Sequence, residues 1–159
     1  MERLVYIRNY VDSLIEKITV SPNKDIISIK RNELTHSYGV SMLCQILACK
    51  RGLNIELAAI IGHLHDLGRI LFNLLDDSHG KIGAEEAFKL LKNSKKFSVD
   101  EIEIICNAIR NHMYKSEIGS PYEEIIKDAD ILERYYWKPE LYKNYGGERL
   151  HKALIEIGQ

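Results

Sequence analysis

A chain of 159 residues, 45% apolar and 28% charged, has the size and make-up of one globular domain with a substantial core. Its net charge of −1 gives no long-range field to gather nucleic acid or an anionic membrane surface. No apolar run approaches the ~20 residues that a bilayer span needs. The opening MERLVYIRNYVDSLIEK lacks the apolar core of a secretory signal, so a cytoplasmic protein is expected. Cys44, Cys49 and Cys106 form no CxxC pair and read as reduced, mostly buried thiols, which argues against a thiolate zinc site.

In chain order, residues 2–19 predict an amphipathic helix with Leu4, Ile7, Val11, Leu14, Ile15 and Ile18 on one side. Ser21-Pro22-Asn23 should end it and open a connection through residue 30. A second helix is expected over 32–50, with His36 near its start and Gly52 just past its end. Residues 55–72, IELAAIIGHLHDLGRILF, predict a central helix capped by Asn54, with Glu56 at the positive end of its dipole. A polar loop holding Asp76 and Asp77 leads through His79-Gly80 to a helix over 80–93. Ser98 and Glu101 suggest a capping box for a helix reaching about Met113. Pro121 suits the first turn of a helix to about Arg134, which Tyr135-Tyr136-Trp137 and Pro139 should interrupt. A short last helix over 148–157 follows Gly146-Gly147. With no alternating strand pattern, the expected fold class is all-α, a compact bundle of about six to seven helices. The expected organisation is a single domain over 1–159, with a motif-bearing core at about 30–135 and a helical tail over 136–159.

Polar residues on apolar faces mark where chemistry could sit. His65-Asp66 lies inside the most apolar stretch, where an aspartate is costly unless a partner or a metal ion satisfies it. Neighbours on a helix point about 100° apart, so one ion between them can meet both side chains. His36 shares a face with Val40, Leu43 and Leu47; His79 lines up with Ile82, Ala87 and Leu90. His112 follows Ile105 and Ala108, and Asp130 stands one turn after Ile126. A lone histidine on such a face is ordinarily a satisfied core residue, but four coincidences plus an adjacent His-Asp outweigh that reading. His63 differs from His65 by about 200° around the helix and reads as packed, or as a partner behind a ligand. His151 reads as a surface residue.

The ordered set His36, His65-Asp66 and Asp130 resembles the HD superfamily of metal-dependent phosphohydrolases. The surrounding text is similar too: THSYGV at 35–40, HLHDLGR at 63–69, HGKIGAEEA at 79–87, AIRNH at 108–112 and KDAD at 127–130. The resemblance implies a helical bundle of the HD type in which His36, His65, Asp66 and Asp130 bind a divalent ion. It places that ligand after the alanine, at Asp130, leaving Asp128 to support it. It further implies either a second ion at His79 and His112, bridged by Asp66, or one ion with that region binding substrate phosphate.

Mixed nitrogen and oxygen ligands suit Mn, Fe, Ni, Co or Zn better than Ca, with Mg admissible. A bound divalent ion polarises a phosphoryl oxygen and lowers the pKa of its water, so phosphate ester hydrolysis is the expected reaction. Asp66 with Arg69 and Lys81 forms the expected catalytic set, the two cations contacting phosphate. The expected partner is a small phosphorylated substrate, a nucleotide foremost, and a homo-oligomer is compatible with the sequence. The alternatives are a dinucleoside polyphosphate hydrolase and a non-catalytic, metal-stabilised binding module. The aromatics Tyr135, Tyr136, Trp137, Tyr142 and Tyr145 are open to three readings: packing, stacking on a base, or a dimer contact.

Overall fold

The computed structural model describes residues 2–19, 25–74, 76, 78–144 and 146–159. Among these residues there are nine helices and no strand: α1 (Glu2–Glu16), α2 (Ile26–Lys50), α3 (Ile55–Leu64), α4 (Leu67–Phe72), α5 (Ser78–Ser94), α6 (Val99–Asn111), α7 (Pro121–Trp137), α8 (Pro139–Tyr142) and α9 (Gly147–Ile157). The all-α expectation holds. The Ser21-Pro22-Asn23 stop, Asp77 and Tyr145 lie outside the described residues. Among the described residues no helix is long and apolar enough to cross a membrane.

The middle of the bundle is α3. Every residue from Leu57 to Leu64 is buried, which explains its apolar residues on all sides. It packs against α1, α2, α6 and α7, and Asn54 caps it by accepting from the Leu57 amide at 3.1 Å. Gly62 lets α2 approach closely, since a Cβ there would stand 2.5 Å from Ser41 Cα. α1 lays Ile7, Val11 and Ile15 into the same core, and the Ser98–Glu101 capping box forms as expected at the start of α6.

Among the described residues nine helices stand where about six to seven were expected, α1 stops at Glu16 and α8 is additional; three further differences bear on the site. The 55–72 helix is broken at His65–Asp66, where Asp66 has φ −97° and ψ 18°, the bridge region often seen at functional residues. The break turns α4 onto α5, with Gly68 so near the backbone of His79 and Gly83 that a Cβ would collide with both. α2 begins at Ile26, because Asp25 caps it by accepting from the amides of Ile27 and Ser28, both at 3.1 Å. His36 therefore sits well inside that helix. α7 runs through Tyr135-Tyr136 to Trp137 and stops at Lys138, whose extended φ of −144° is what a residue before proline adopts. Of the cysteines, Cys44 and Cys106 are buried but Cys49 is exposed.

α9 is tied down by charge. Arg51, just past the end of α2, meets Glu156 and Asp128, each at 2.6 Å, and Arg149 meets Asp128 at 2.7 Å and Glu124 at 2.8 Å. Asp128 is thus engaged by Arg51 at the end of α2 and by Arg149 of α9.

Candidate metal centre

Four histidines converge on Asp66 through the same ring atom. His36 Nε2 lies 3.5 Å and His65 Nε2 3.4 Å from Asp66 Oδ2, while His79 Nε2 and His112 Nε2 lie 3.2 and 3.7 Å from Oδ1. The Nε2 atoms pair off as well: His36 with His65 and His79 with His112, each 3.2 Å apart. Two groups of potential ligands result, His36–His65–Asp66 and Asp66–His79–His112, within each of which the ligand atoms lie no more than 4.8 Å from one another. His65, Asp66, His79 and His112 are all buried, and His36 nearly so.

The local chain explains the aim of each ring. Helix α2 carries His36, the α3–α4 break presents His65 and Asp66, α5 carries His79 in its first turn, and His112 caps the end of α6. Behind each ring an oxygen faces Nδ1: Glu133 Oε2 behind His36 at 2.5 Å, Gly62 O behind His65 at 2.8 Å, Asp76 O behind His79 at 2.5 Å, and Ile109 O behind His112 at 2.7 Å. An Nδ1–H that donates to such an oxygen fixes the ring and leaves the Nε2 lone pair for the centre.

Asp130 stands at the edge of the first group, its Oδ1 3.4 Å from His36 Nε2. Both its oxygens are engaged by cations, Lys115 Nζ at 2.6 Å and Arg134 Nε at 3.0 Å. Arg69 Nη2 lies 2.7 Å from Asp66 Oδ2 and 2.8 Å from Glu33 Oε2, so it stands between the centre and α2. Lys81 is not brought to the cluster. It is exposed on α5, about 200° around the helix from His79. His63 packs in the core with Nδ1 3.0 Å from Ser37 Oγ, and burial pushes its pKa down to about 4. His151 is exposed.

Charge at the centre is what a cation would find. Burial alone would raise the Asp66 carboxyl, but His65 and the other imidazoles outweigh it and hold it well below the usual range. Asp130 is likewise held down, against burial, by Lys115 and Arg134. Burial acts to lower His36, yet Asp66, Glu133 and Asp130 raise it to about 9. His65 has burial as its main influence and falls to about 3, whereas the contact with Asp66 raises His79. Asp66 Oδ2 is buried and accepts no well-formed hydrogen bond despite the nearby guanidinium. Converging lone pairs and an unsatisfied buried oxygen fit a divalent cation.

Sequence reasoning did not single out Glu133, Arg134 or Lys115. The first two were within reach of it, because 130, 133, 134 and 137 form one stripe on α7. Lys115 lies in the α6–α7 connection, held there by Arg149 Nε donating to its carbonyl at 2.9 Å, and nothing local in the sequence marks it.

Beside His36 opens a pocket of about 240 Å³ whose lining includes Glu33, Arg69, Arg134, Trp137 and Tyr142.

The chain is 35% identical to Ribonuclease Y of Enterococcus faecalis over 105 residues, 66% of this chain but 18% of that protein. It is 34% identical to Ribonuclease Y of Listeria welshimeri over 134 residues, 83% of this chain and 24% of that protein. It therefore spans about a quarter or less of the length of these relatives. A crystal structure of a predicted HD superfamily hydrolase from an uncultured Thermotogales bacterium shares the fold, with a TM-score of 0.67 at 24% identity, over 99% of this chain and 90% of that one. The family model described as HD domain matches residues 34–135, the span that contains every histidine and aspartate of the cluster. The chain belongs to the HD domain family.

Proposed function

We propose that this chain is a metal-dependent phosphoric ester hydrolase acting on a nucleotide or another small phosphate ester. One observation carries the reading: two ligand groups share Asp66 beside a pocket that Arg69 and Arg134 line. His36, His65 and Asp66 would hold one divalent ion, with Asp130 at its edge, and Asp66, His79 and His112 a second. Such ions, when bound, polarise a phosphoryl oxygen and lower the pKa of water.

The remaining work falls to the protein. Arg69 offers a planar fork that can hold two phosphate oxygens, and Asp66 and Glu33 already orient it. Arg134 and Lys115, both on Asp130, add positive charge where a transferring phosphoryl group gathers negative charge. Glu133 holds His36 in register. Lys81, exposed away from the cluster, has no part in this set.

A second reading, cleavage of RNA phosphodiester bonds, is favoured by the relatives named Ribonuclease Y. The test is a substrate panel with Mn, Fe, Co and Ni supplied separately. It contains p-nitrophenyl phosphate, nucleoside monophosphates, a dinucleoside polyphosphate and a short RNA. Turnover of the monoesters supports the first reading, and turnover of RNA alone supports the second. Metal binding with no turnover of any member leaves a binding module. Asp66→Ala should lose bound metal and hydrolysis together; a variant that keeps stoichiometric metal sinks the site.

A further inference from the structure

We infer that the pocket beside the centre is a nucleobase subsite with Trp137 as its stacking platform, so that the substrate is a nucleoside phosphate. The inference rests on the phosphoester reading of the centre. One stripe of α7 carries Asp130 at the centre, Glu133 behind His36, Arg134 on Asp130, and then Trp137 at the end of the helix. Seven residues of α-helix advance about 10 Å, a reach comparable with that from a phosphate to the far edge of its own base.

The wall chemistry selects a base over other occupants. Trp137 is 50% exposed and lines a pocket whose other walls, Tyr142 apart, are charged or polar groups. A flat, wet indole among arginines suits a π-face of any base, with Arg69, held by Asp66 and Glu33, near the centre for the phosphate. Tyr142 of α8 adds a second ring, and Asn32 and Glu33 of α2 offer an amide and a carboxylate to a base edge. An acyl chain would want apolar walls, and a bare sugar phosphate would leave the indole in water. At about 240 Å³ the pocket is smaller than the ~300–1,000 Å³ of a drug-sized ligand site. It holds one nucleoside, either a free nucleotide or the terminal unit of a strand.

Trp137 is the only tryptophan of the chain, so its fluorescence reports on the subsite directly. Metal-loaded protein is titrated with adenosine 5′-monophosphate, ribose 5-phosphate and a short oligoadenylate. Saturable quenching by the adenine ligands but not by ribose 5-phosphate is expected. Tighter quenching by the oligomer assigns the subsite to a strand terminus, and tighter quenching by the monophosphate to a free nucleotide. Equal quenching by ribose 5-phosphate, or none by either adenine ligand, overturns the inference. Trp137→Ala should lower kcat/KM for the monophosphate relative to ribose 5-phosphate by about tenfold, mainly through KM, with Trp137→Phe recovering most of it. Quenching without hydrolysis of any ester would defeat the hydrolase reading and leave the subsite standing. Hydrolysis with the same preference in wild type and Trp137→Ala would do the reverse.

Discussion

The four imidazoles at Asp66 present the same nitrogen because each is held from behind by its other one. Three lean on backbone carbonyls three residues earlier in the chain, supplied by the helical turn for His65 and His112 and by the loop before α5 for His79. His36 is different. Its Nδ1 faces the Glu133 carboxylate, a group brought by another helix. That carboxylate makes the ring more basic as a ligand and fixes its plane, an influence that typically changes metal affinity 10–100-fold. Glu133→Gln keeps the shape and removes the charge, so calorimetric titration with Mn should show affinity weakened by roughly tenfold or more at one site, with the melting temperature of the metal-free protein little changed. Unchanged affinity would mean that Glu133 serves only as packing between α2 and α7.

At the scale of elements, the centre depends on how closely α4 approaches α5. Gly68 faces the carbonyl of His79 and the amide of Gly83 with no room for a Cβ, and His79 must stay within 3.2 Å of Asp66. Gly68→Ala has to push the two helices apart. Such overpacking costs about 1–3 kcal/mol, which is some 2–12 °C in melting temperature for a domain of this size. Metal at His79 and His112 should weaken more than metal at His36 and His65; equal weakening would place the strain elsewhere. This close approach also shows where sequence reading stopped. Caps at Asn54 and Ser98 and the buried run of α3 were legible because each depends on nearby residues. The break at His65–Asp66 was not, since Leu64, Leu67 and Ile70 carry the apolar spacing across it and only the packing of α4 on α5 demands it. The reach of α2 back to Ile26 depended on Asp25 as a cap, which the nearby Pro22 obscured.

In the whole molecule, the site residues come from α2, the α3–α4 break, α5, the end of α6 and α7, so no fragment smaller than the bundle assembles them. Their identity was readable because each is a polar residue on a buried face. The cation set around Asp130 was only half readable: Arg134 stands one turn along the same helix, whereas Lys115 reaches Asp130 through a tertiary contact alone. This distribution ties metal to stability. An ion that binds the folded chain and not the unfolded one adds about 2.7 kcal/mol at a free concentration one hundred times its Kd. For a chain of this length that is a rise of about 5–10 °C in melting temperature. Adding Mn to chelator-treated protein should produce the rise, and Asp66→Ala should abolish it because both ligand groups lose their shared member. His112→Ala removes a ligand from one group only, so it should keep part of the rise while the stoichiometry falls from two ions to one. Wild-type protein that saturates at a single ion in excess Mn would reduce the centre to one metal and leave His79 and His112 for another role. A rise that survives in Asp66→Ala would mean that the stabilising ion binds somewhere else.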